Sequence, residues 1–449
     1  WMNDPNGFIY YKGMYHLFYQ CFPYGPRWGR MHWGHVVSKD LVNWEEQGIA
    51  LFPSKTDDRS GCFSGSAIEE DGKMQLYYTG VNYLTENPED INLCVDEHFV
   101  SAQLMITSED GIHFDNIKDK KTVIPVIHDA DIGDARHTRD PKVWKDGDIW
   151  YMVLGSTIND KQGKLLFFTS TDGEEWKFEN SVTRENFGWM WECPDYFELD
   201  GQKFLSVSPQ GLKREEYRFQ NIYQSGYFPV KEDESVDTED FREWDMGFDF
   251  YAPQTFVDDK GRRILIGWMG MPDAEEEYIN KTIDEGWQHC LTVPRELKVQ
   301  DGKILQYPVK ELERLRKEKT ILHDEKSIAE IRVEVNEGFD LVLEEIAITD
   351  SSFQISMGGQ MIFKYEEGIA EIGFSGIAGA GRDRRKAKIS ELRNIRILAD
   401  TSAAEIYLND GETVFSTRYY PDREDLQLKI LGGKFRGNLW NLRKMIFTK

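Results

Sequence analysis

Five stretches of this chain share one pattern of apolar and polar positions. They are DPNGFIYYKGMYHLFYQ from Asp4, SGSAIEEDGKMQLYYTG from Ser64, DPKVWKDGDIWYMVLGS from Asp140, CPDYFELDGQKFLSVSP from Cys193 and APQTFVDDKGRRILIGWM from Ala252. Each opens on a small or acidic residue, usually before Pro. An apolar run follows, then a turn containing Gly, then an alternating strand rich in aromatic and β-branched residues. This is the signature of a β-hairpin. The starts lie roughly 50 to 75 residues apart, room for one propeller blade and its loops.

A second pattern interleaves with the first. SKDLVNW (Ser38 to Trp44), SEDGIHF (Ser108 to Phe114) and STDGEEW (Ser170 to Trp176) each follow an apolar strand. Ser and Asp side chains can accept nearby backbone amides and close a turn, and the last aromatic can fold back onto the sheet. The repeating unit is thus a hairpin, a third strand, a polar turn and a fourth strand. Five such units predict an all-β protein that begins with a five-bladed β-propeller. The repeat fades near Arg295, so the propeller is expected over residues 1–295. Residues 296–320 read as a linker whose VKELERLRK portion forms a short helix after Pro308. Residues 321–449 return to short alternating strands such as IRVEVNEGFDLVLEE, FQISMGG and AAEIYLNDG, which predict a β-sandwich.

Composition narrows the partners more than the fold. A chain of 449 residues with 40% hydrophobic content is too long for one ordinary core, which agrees with two domains. A formal net charge of −25 repels nucleic acid and anionic membranes, and no Lys/Arg tract offsets it. No apolar run approaches the ~18 residues of a membrane span. The five cysteines, Cys21, Cys62, Cys94, Cys193 and Cys290, form no CxxC pair and suggest neither a disulfide framework nor a zinc site. They fit a reducing cytoplasm. The nine histidines show no metal-ligand spacing with acids. The expected partner is therefore a small molecule, with no metal and no cofactor. The sequence is silent on oligomeric state.

In a propeller the inner strands of all blades begin at the same end of the central channel. Three of the five starts bring a carboxyl there: Asp4 in NDP, Asp140 in RDP and Glu192 in ECP. Taken singly each has a plainer reading. Asn-Asp-Pro-Asn-Gly is turn chemistry, Arg139-Asp140 is a local ion pair, and a Glu is most often solvated. Three acids at matching repeat positions favour a shared axial pocket. Crowded carboxyls cannot all ionise cheaply, so one holds a proton while the others stay anionic. That is the acid-plus-anion pairing that glycosidases use.

The motifs WMNDPNG, FSGS (Phe63 to Ser66), RDP and EC, in this order, resemble the signature set of glycoside hydrolase family 32. The resemblance extends over the whole chain and includes the order of propeller and sandwich. It implies a retaining hydrolase of terminal β-D-fructosyl bonds. Asp4 would be the nucleophile, Glu192 the general acid and base, and Asp140 the transition-state stabiliser. On this reading the charge of Asp4 keeps Glu192 protonated until Asp4 is esterified. Asn3, Gln20, Trp28, Phe63, Ser64, Arg139, Tyr251 and Trp268 fall in stretches that look like the family's fructose pocket.

The leaving group stays open between sucrose, sucrose 6-phosphate and short fructo-oligosaccharides. A phosphate would need local cations, for which Arg27, Arg30, Arg136, His137, Lys213 and Arg214 are the candidates on rim loops. A fructosyltransferase would use the same intermediate. An inverting five-bladed glycosidase and a non-catalytic sugar-binding propeller are the competing readings. WMNDPNG and EC argue against the first, and the intact Asp4, Asp140 and Glu192 against the second.

Overall fold

A computed structural model of the chain describes residues 1–270, 280–323, 331–335, 338–375, 379, 382–421 and 427–449. Five sheets contain the five repeats, each built outward from an inner strand. The inner strands are Met2–Tyr11, Gly61–Glu70, Arg139–Asp146, Met190–Leu199 and Tyr251–Val257. Each packs against the next, and the fifth packs against the first, so the ring closes as a five-bladed propeller. Aromatic and branched side chains of neighbouring blades fill the seams, as where Phe8 of blade 1 meets Phe256 of blade 5 with ring centroids 4.0 Å apart.

The polar turns form as their residue types dictate. Asp40 Oδ1 accepts the amides of Val42 and Asn43. Asp110 Oδ1 accepts those of Ile112 and His113, and Asp172 Oδ1 those of Glu174 and Glu175. The closing aromatics Trp44, Phe114 and Trp176 return to the hydrophobic clusters of their blades.

The hairpin register slips at every inner-strand start: at Asn3-Asp4, Phe63-Ser64, Asp140-Pro141, Cys193-Pro194 and Ala252-Pro253. A bulge of this kind frees residues from the ladder and re-aims their side chains. Asp140, Cys193 and Ala252 also take left-handed backbone angles, with φ of 65°, 46° and 48°. Left-handed non-glycine residues are strained, and such strain gathers at functional sites.

The fifth sheet runs past residue 295. Its outer strands are Arg295–Gln300 and Lys303–Pro308, so residues expected in the linker complete the blade. The repeat loses its signature there because outer strands need no small-residue opening and only alternate. The expected short helix is a 3-10 turn, Lys310–Leu315, and the strand Arg316–His323 already belongs to the second domain. That domain is a β-sandwich of two six-stranded sheets around one apolar core. Of IRVEVNEGFDLVLEE, Ile331–Glu334 and Phe339–Ile348 are strands, and Asn336 and Glu337 lie outside the described residues. The last strand, Ile446–Thr448, leaves the sandwich and pairs in parallel with the outer strand of blade 1.

Buried ion pairs join the two domains. Arg295 of blade 5 is fully buried; its Nη2 donates to Glu405 Oε2 of the sandwich at 2.7 Å and its Nη1 to Asp245 Oδ2 at 3.2 Å. Asp249 Oδ2 receives Arg382 Nη1 and the Arg418 amide, each at 2.8 Å.

Candidate active site

Every blade sends the two residues around its bulge to the same end of the channel. The pairs are Asn3 and Asp4, Phe63 and Ser64, Arg139 and Asp140, Glu192 and Cys193, Tyr251 and Ala252. The structure thereby brings the three acids together. Cys193 Sγ lies 3.6 Å from both Asp4 Oδ2 and Asp140 Oδ2, and the Cys193 amide donates to Asp140 Oδ2 at 2.9 Å.

Asp4 is held by neutral donors. Ser64 Oγ donates to its Oδ2 at 2.6 Å, Asn3 Nδ2 to its Oδ1 at 3.2 Å, and Gln20 Nε2 to its Oδ2 at 3.4 Å. Gln20 also donates to Ser64 Oγ and so fixes the direction of that hydroxyl. Glu192 has a charged partner. Arg139 reaches its Oε1 through Nε at 3.0 Å and Nη2 at 2.7 Å. Tyr251 and Gln210 donate to its Oε2 at 2.6 and 2.5 Å.

These partners distribute proton affinity unequally. Burial, reinforced by the negative charge of Glu192 and only partly offset by Ser64, pushes Asp4 up to about 6. Burial raises Asp140 to about 7 despite the nearby Arg139. Burial also works upward on Glu192, but the Arg139 charge and the Tyr251 hydroxyl outweigh it, and its pKa falls below the ordinary value. The Arg139 pair, which the sequence expectation did not include, thus works against a proton on Glu192.

Aromatic rings wall the pocket. Phe63 meets Trp28 with centroids 5.7 Å apart, Trp28 meets Trp1 at 6.4 Å, and Trp1 meets Trp268 at 6.4 Å. Trp268 then meets Tyr251 at 6.3 Å. All eight secondary candidates thus touch an acid or belong to this arc. Sequence reasoning missed Trp1 and Gln210, and it offered His137 only as a rim cation, whereas the ring accepts from Arg139. Trp1 was visible inside WMNDPNG. Gln210 ends the second strand of the blade-4 hairpin, opposite the Glu192 bulge, a place that the hairpin register alone could have singled out.

Beneath the acids polar side chains cross between the inner strands. Two residues beyond each repeat start (Asp4, Ser64, Asp140, Cys193 and Ala252) stand Asn6, Ser66, Lys142, Asp195 and Gln254. They bind one another's blades across the axis. Asn6 Oδ1 accepts the Gly65 amide, Ser66 Oγ donates to Pro141 O, and Gln254 Nε2 donates to Gly65 O. Lys142 Nζ sits 3.2 Å from Asp195 Oδ1 and donates to Thr255 O at 2.6 Å. A polar layer thus ties the five inner strands together beneath the acids. A second cleft of about 1360 Å³, between blade 1, blade 5 and the sandwich, is lined by none of the three acids.

Asp134, His137 and Asp160 bring one potential metal-ligand atom each within 4.8 Å of one another. Arg139 Nη1 donates to His137 Nδ1 at 3.0 Å, so the neutral ring carries its hydrogen on Nε2 and offers no lone pair there. Arg136 Nη2 lies 2.5 Å from Asp160 and already supplies positive charge. Of the remaining rim cations, Arg27 pairs with Asp90 and Arg30 with Glu86. Lys213 and Arg214 are exposed and have no ion-pair partner among the described residues. All five cysteines are free thiols.

A propeller that brings three carboxyls together at one end of its axis, walled by rings, has the build of a glycoside hydrolase. Comparison with known proteins gives the family. The description "Glycosyl hydrolases family 32 N-terminal domain" matches residues 1–308, and "Glycosyl hydrolases family 32 C terminal" matches residues 373–437. The chain belongs to glycosyl hydrolases family 32. It is 40% identical to the sucrose-6-phosphate hydrolase of Bacillus subtilis (strain 168), over 94% of this chain and 86% of that protein. It is 33% identical to the raffinose invertase of Escherichia coli, over 98% and 93%. Among solved structures, the β-fructofuranosidase of Bombyx mori superposes with a TM-score of 0.83 at 31% identity, covering 99% of this chain and 92% of that one.

Proposed function

We propose that this chain hydrolyses terminal β-D-fructosyl bonds with retention of configuration, and that its natural leaving group is a phosphorylated glucose, as in sucrose 6-phosphate. Asp4 attacks the anomeric carbon, Glu192 protonates the departing oxygen and later activates water, and Asp140 holds fructosyl hydroxyls as charge develops. The convergence of these three carboxyls, each from a different blade, carries the reading.

The contact between Arg139 and Glu192 gives Arg139 a part in the cycle. Its guanidinium keeps Glu192 anionic while the pocket is open. As a fructosyl unit claims those donors, Glu192 becomes more basic and takes up a proton from solvent before water is excluded, and this is the proton it delivers to the departing oxygen. After Asp4 is esterified its charge is gone, and Glu192 returns readily to the anion that takes a proton from water.

The names of the relatives favour a phosphorylated substrate, and the unpaired pair Lys213 and Arg214 supplies the charge to meet it. Lys213 and Arg214 stand three and four residues after Gln210, which holds Glu192. Paired kinetics on sucrose and sucrose 6-phosphate test this. Replacing both Lys213 and Arg214 by Ala is expected to raise KM for sucrose 6-phosphate by about 10-fold or more and to leave sucrose little changed, since a charge-assisted contact contributes about 1.5–3 kcal/mol. Equal effects on both substrates would remove this pair from phosphate recognition. For the mechanism, NMR of the first product should show β-fructofuranose; α-fructofuranose first would mean inversion.

A further inference from the structure

Blade 2 brings no acid to the pocket, yet it holds two. Its Ser64 donates to Asp4 Oδ2 at 2.6 Å. Its second and third strands reach the start of blade 3, where Asp140 sits in the left-handed region with φ of 65°. The Asp140 amide donates to Thr79 Oγ1 at 2.8 Å. Thr79 passes its own hydroxyl hydrogen to Gln103 Oε1, its partner across the strand pair, at 2.8 Å. Gln103 Nε2 then donates to Thr138 O at 2.9 Å, and Ser101 Oγ donates to the same carbonyl at 2.8 Å. Thr79, Ser101, Gln103 and Thr138 are all buried.

The chain of bonds begins at the Asp140 amide and ends at the Thr138 carbonyl. It therefore grips the backbone on both sides of Arg139, the residue that holds Glu192. From this geometry we propose that Thr79, backed by Gln103 and Ser101, is the positioning residue that keeps Asp140 in its strained conformation with its carboxyl turned into the pocket. The proposal rests on the catalytic reading of Asp140 given above. Thr79 must accept from Asp140 and donate to Gln103 at once, which a hydroxyl can do and a methyl cannot. Freed from this grip, Asp140 relaxes toward ordinary backbone angles and its carboxyl swings off the reacting sugar.

Three variants test the idea in the full chain with sucrose as the probe: Thr79→Val, Thr79→Ser and Asp140→Asn, together with the double variant Thr79→Val/Asp140→Asn. Thr79→Val keeps the side-chain shape and is expected to lower kcat roughly 10- to 100-fold, more than it changes KM, as for a misplaced catalytic group. Thr79→Ser restores both hydrogen bonds and should restore kcat. In the Asp140→Asn background the Val substitution should cost little further rate, because both act through one carboxyl. A merely structural hydroxyl would show additive losses, with Ser giving no rescue, and that result overturns the proposal. An inactive Asp140→Asn beside a Thr79→Val of wild-type rate overturns the clamp alone. A fully active Asp140→Asn overturns the reading of Asp140, and the clamp with it.

Discussion

Asp4→Asn is expected to lower fructose release by on the order of 10⁴-fold or more, and at the same time to raise the melting temperature at pH 8 by a few degrees. The loss follows from removing the attacking oxygen while keeping the side-chain shape. The gain follows from burial. Asp4 titrates at about 6 in the folded protein, above the ordinary 3.8 of an unfolded Asp. Above about 6 the folded state must carry an ionised carboxylate that it disfavours, and a neutral Asn relieves this by on the order of 1–3 kcal/mol. The relief is full above about 6, shrinks as pH falls from there toward 3.8, and is absent below. The same titration sets the acid limb of the wild type: kcat/KM should fall as pH drops through about 6, because protonated Asp4 cannot attack. Turnover near the wild-type rate would refute the nucleophile assignment. A melting temperature at pH 8 equal to or below that of the wild type would refute the electrostatic account.

Glu405→Ala is expected to destabilise the whole protein by about 3–5 kcal/mol while leaving kcat at 25 °C near wild type. Glu405 lies on the sandwich strand Ala403–Leu408 and faces blade 5. It accepts Arg295 Nε and Nη2, the Val293 amide and the Tyr407 hydroxyl. Truncation takes the carboxylate from four donors at once, and of these only Arg295 Nη2 keeps another acceptor among the described residues, Ser416 Oγ at 2.6 Å. Asp245 and Gln306 still hold Arg295 Nη1, at 3.2 and 2.8 Å, but the other donors lose their charged partner. Because Arg295 begins the third strand of blade 5, the damage passes into the propeller. Calorimetry should show the transition moving down by several degrees. A shift under one degree would mean that the pair is replaceable by water or by its remaining partners.

The propeller was legible because each blade declares itself locally. A small or acidic residue, Pro, a Gly turn and an alternating strand are enough to set a hairpin and its bulge, and the bulges put Asp4, Asp140 and Glu192 at one end. The family motifs then supplied the surrounding contacts, and each of those residues does touch an acid or the aromatic arc. What stayed hidden depends on contacts between distant segments. The strands Arg295–Gln300 and Lys303–Pro308 alternate without the repeat's opening, so nothing local assigns them to blade 5. The return of Ile446–Thr448 to blade 1 is set by a neighbour about 400 residues away in sequence. The Arg139–Glu192 pair requires two blades to be docked side by side. Thr79 and Gln103 read as ordinary strand residues until the Asp140 amide is found between blades.

The polar layer of Asn6, Ser66, Lys142, Asp195 and Gln254 ties the inner strands together beneath the acids. Substrate is therefore expected to enter and leave at the end walled by Trp28 and Trp268, which would set the order of events. The aglycone, bound nearer the mouth, has to depart before water can reach the fructosyl ester, and fructose leaves last because it lies deepest. A second sugar arriving in that interval takes the place that water would occupy. The ratio of transfer to hydrolysis should therefore rise with acceptor concentration, and free fructose should compete with substrate for that entrance.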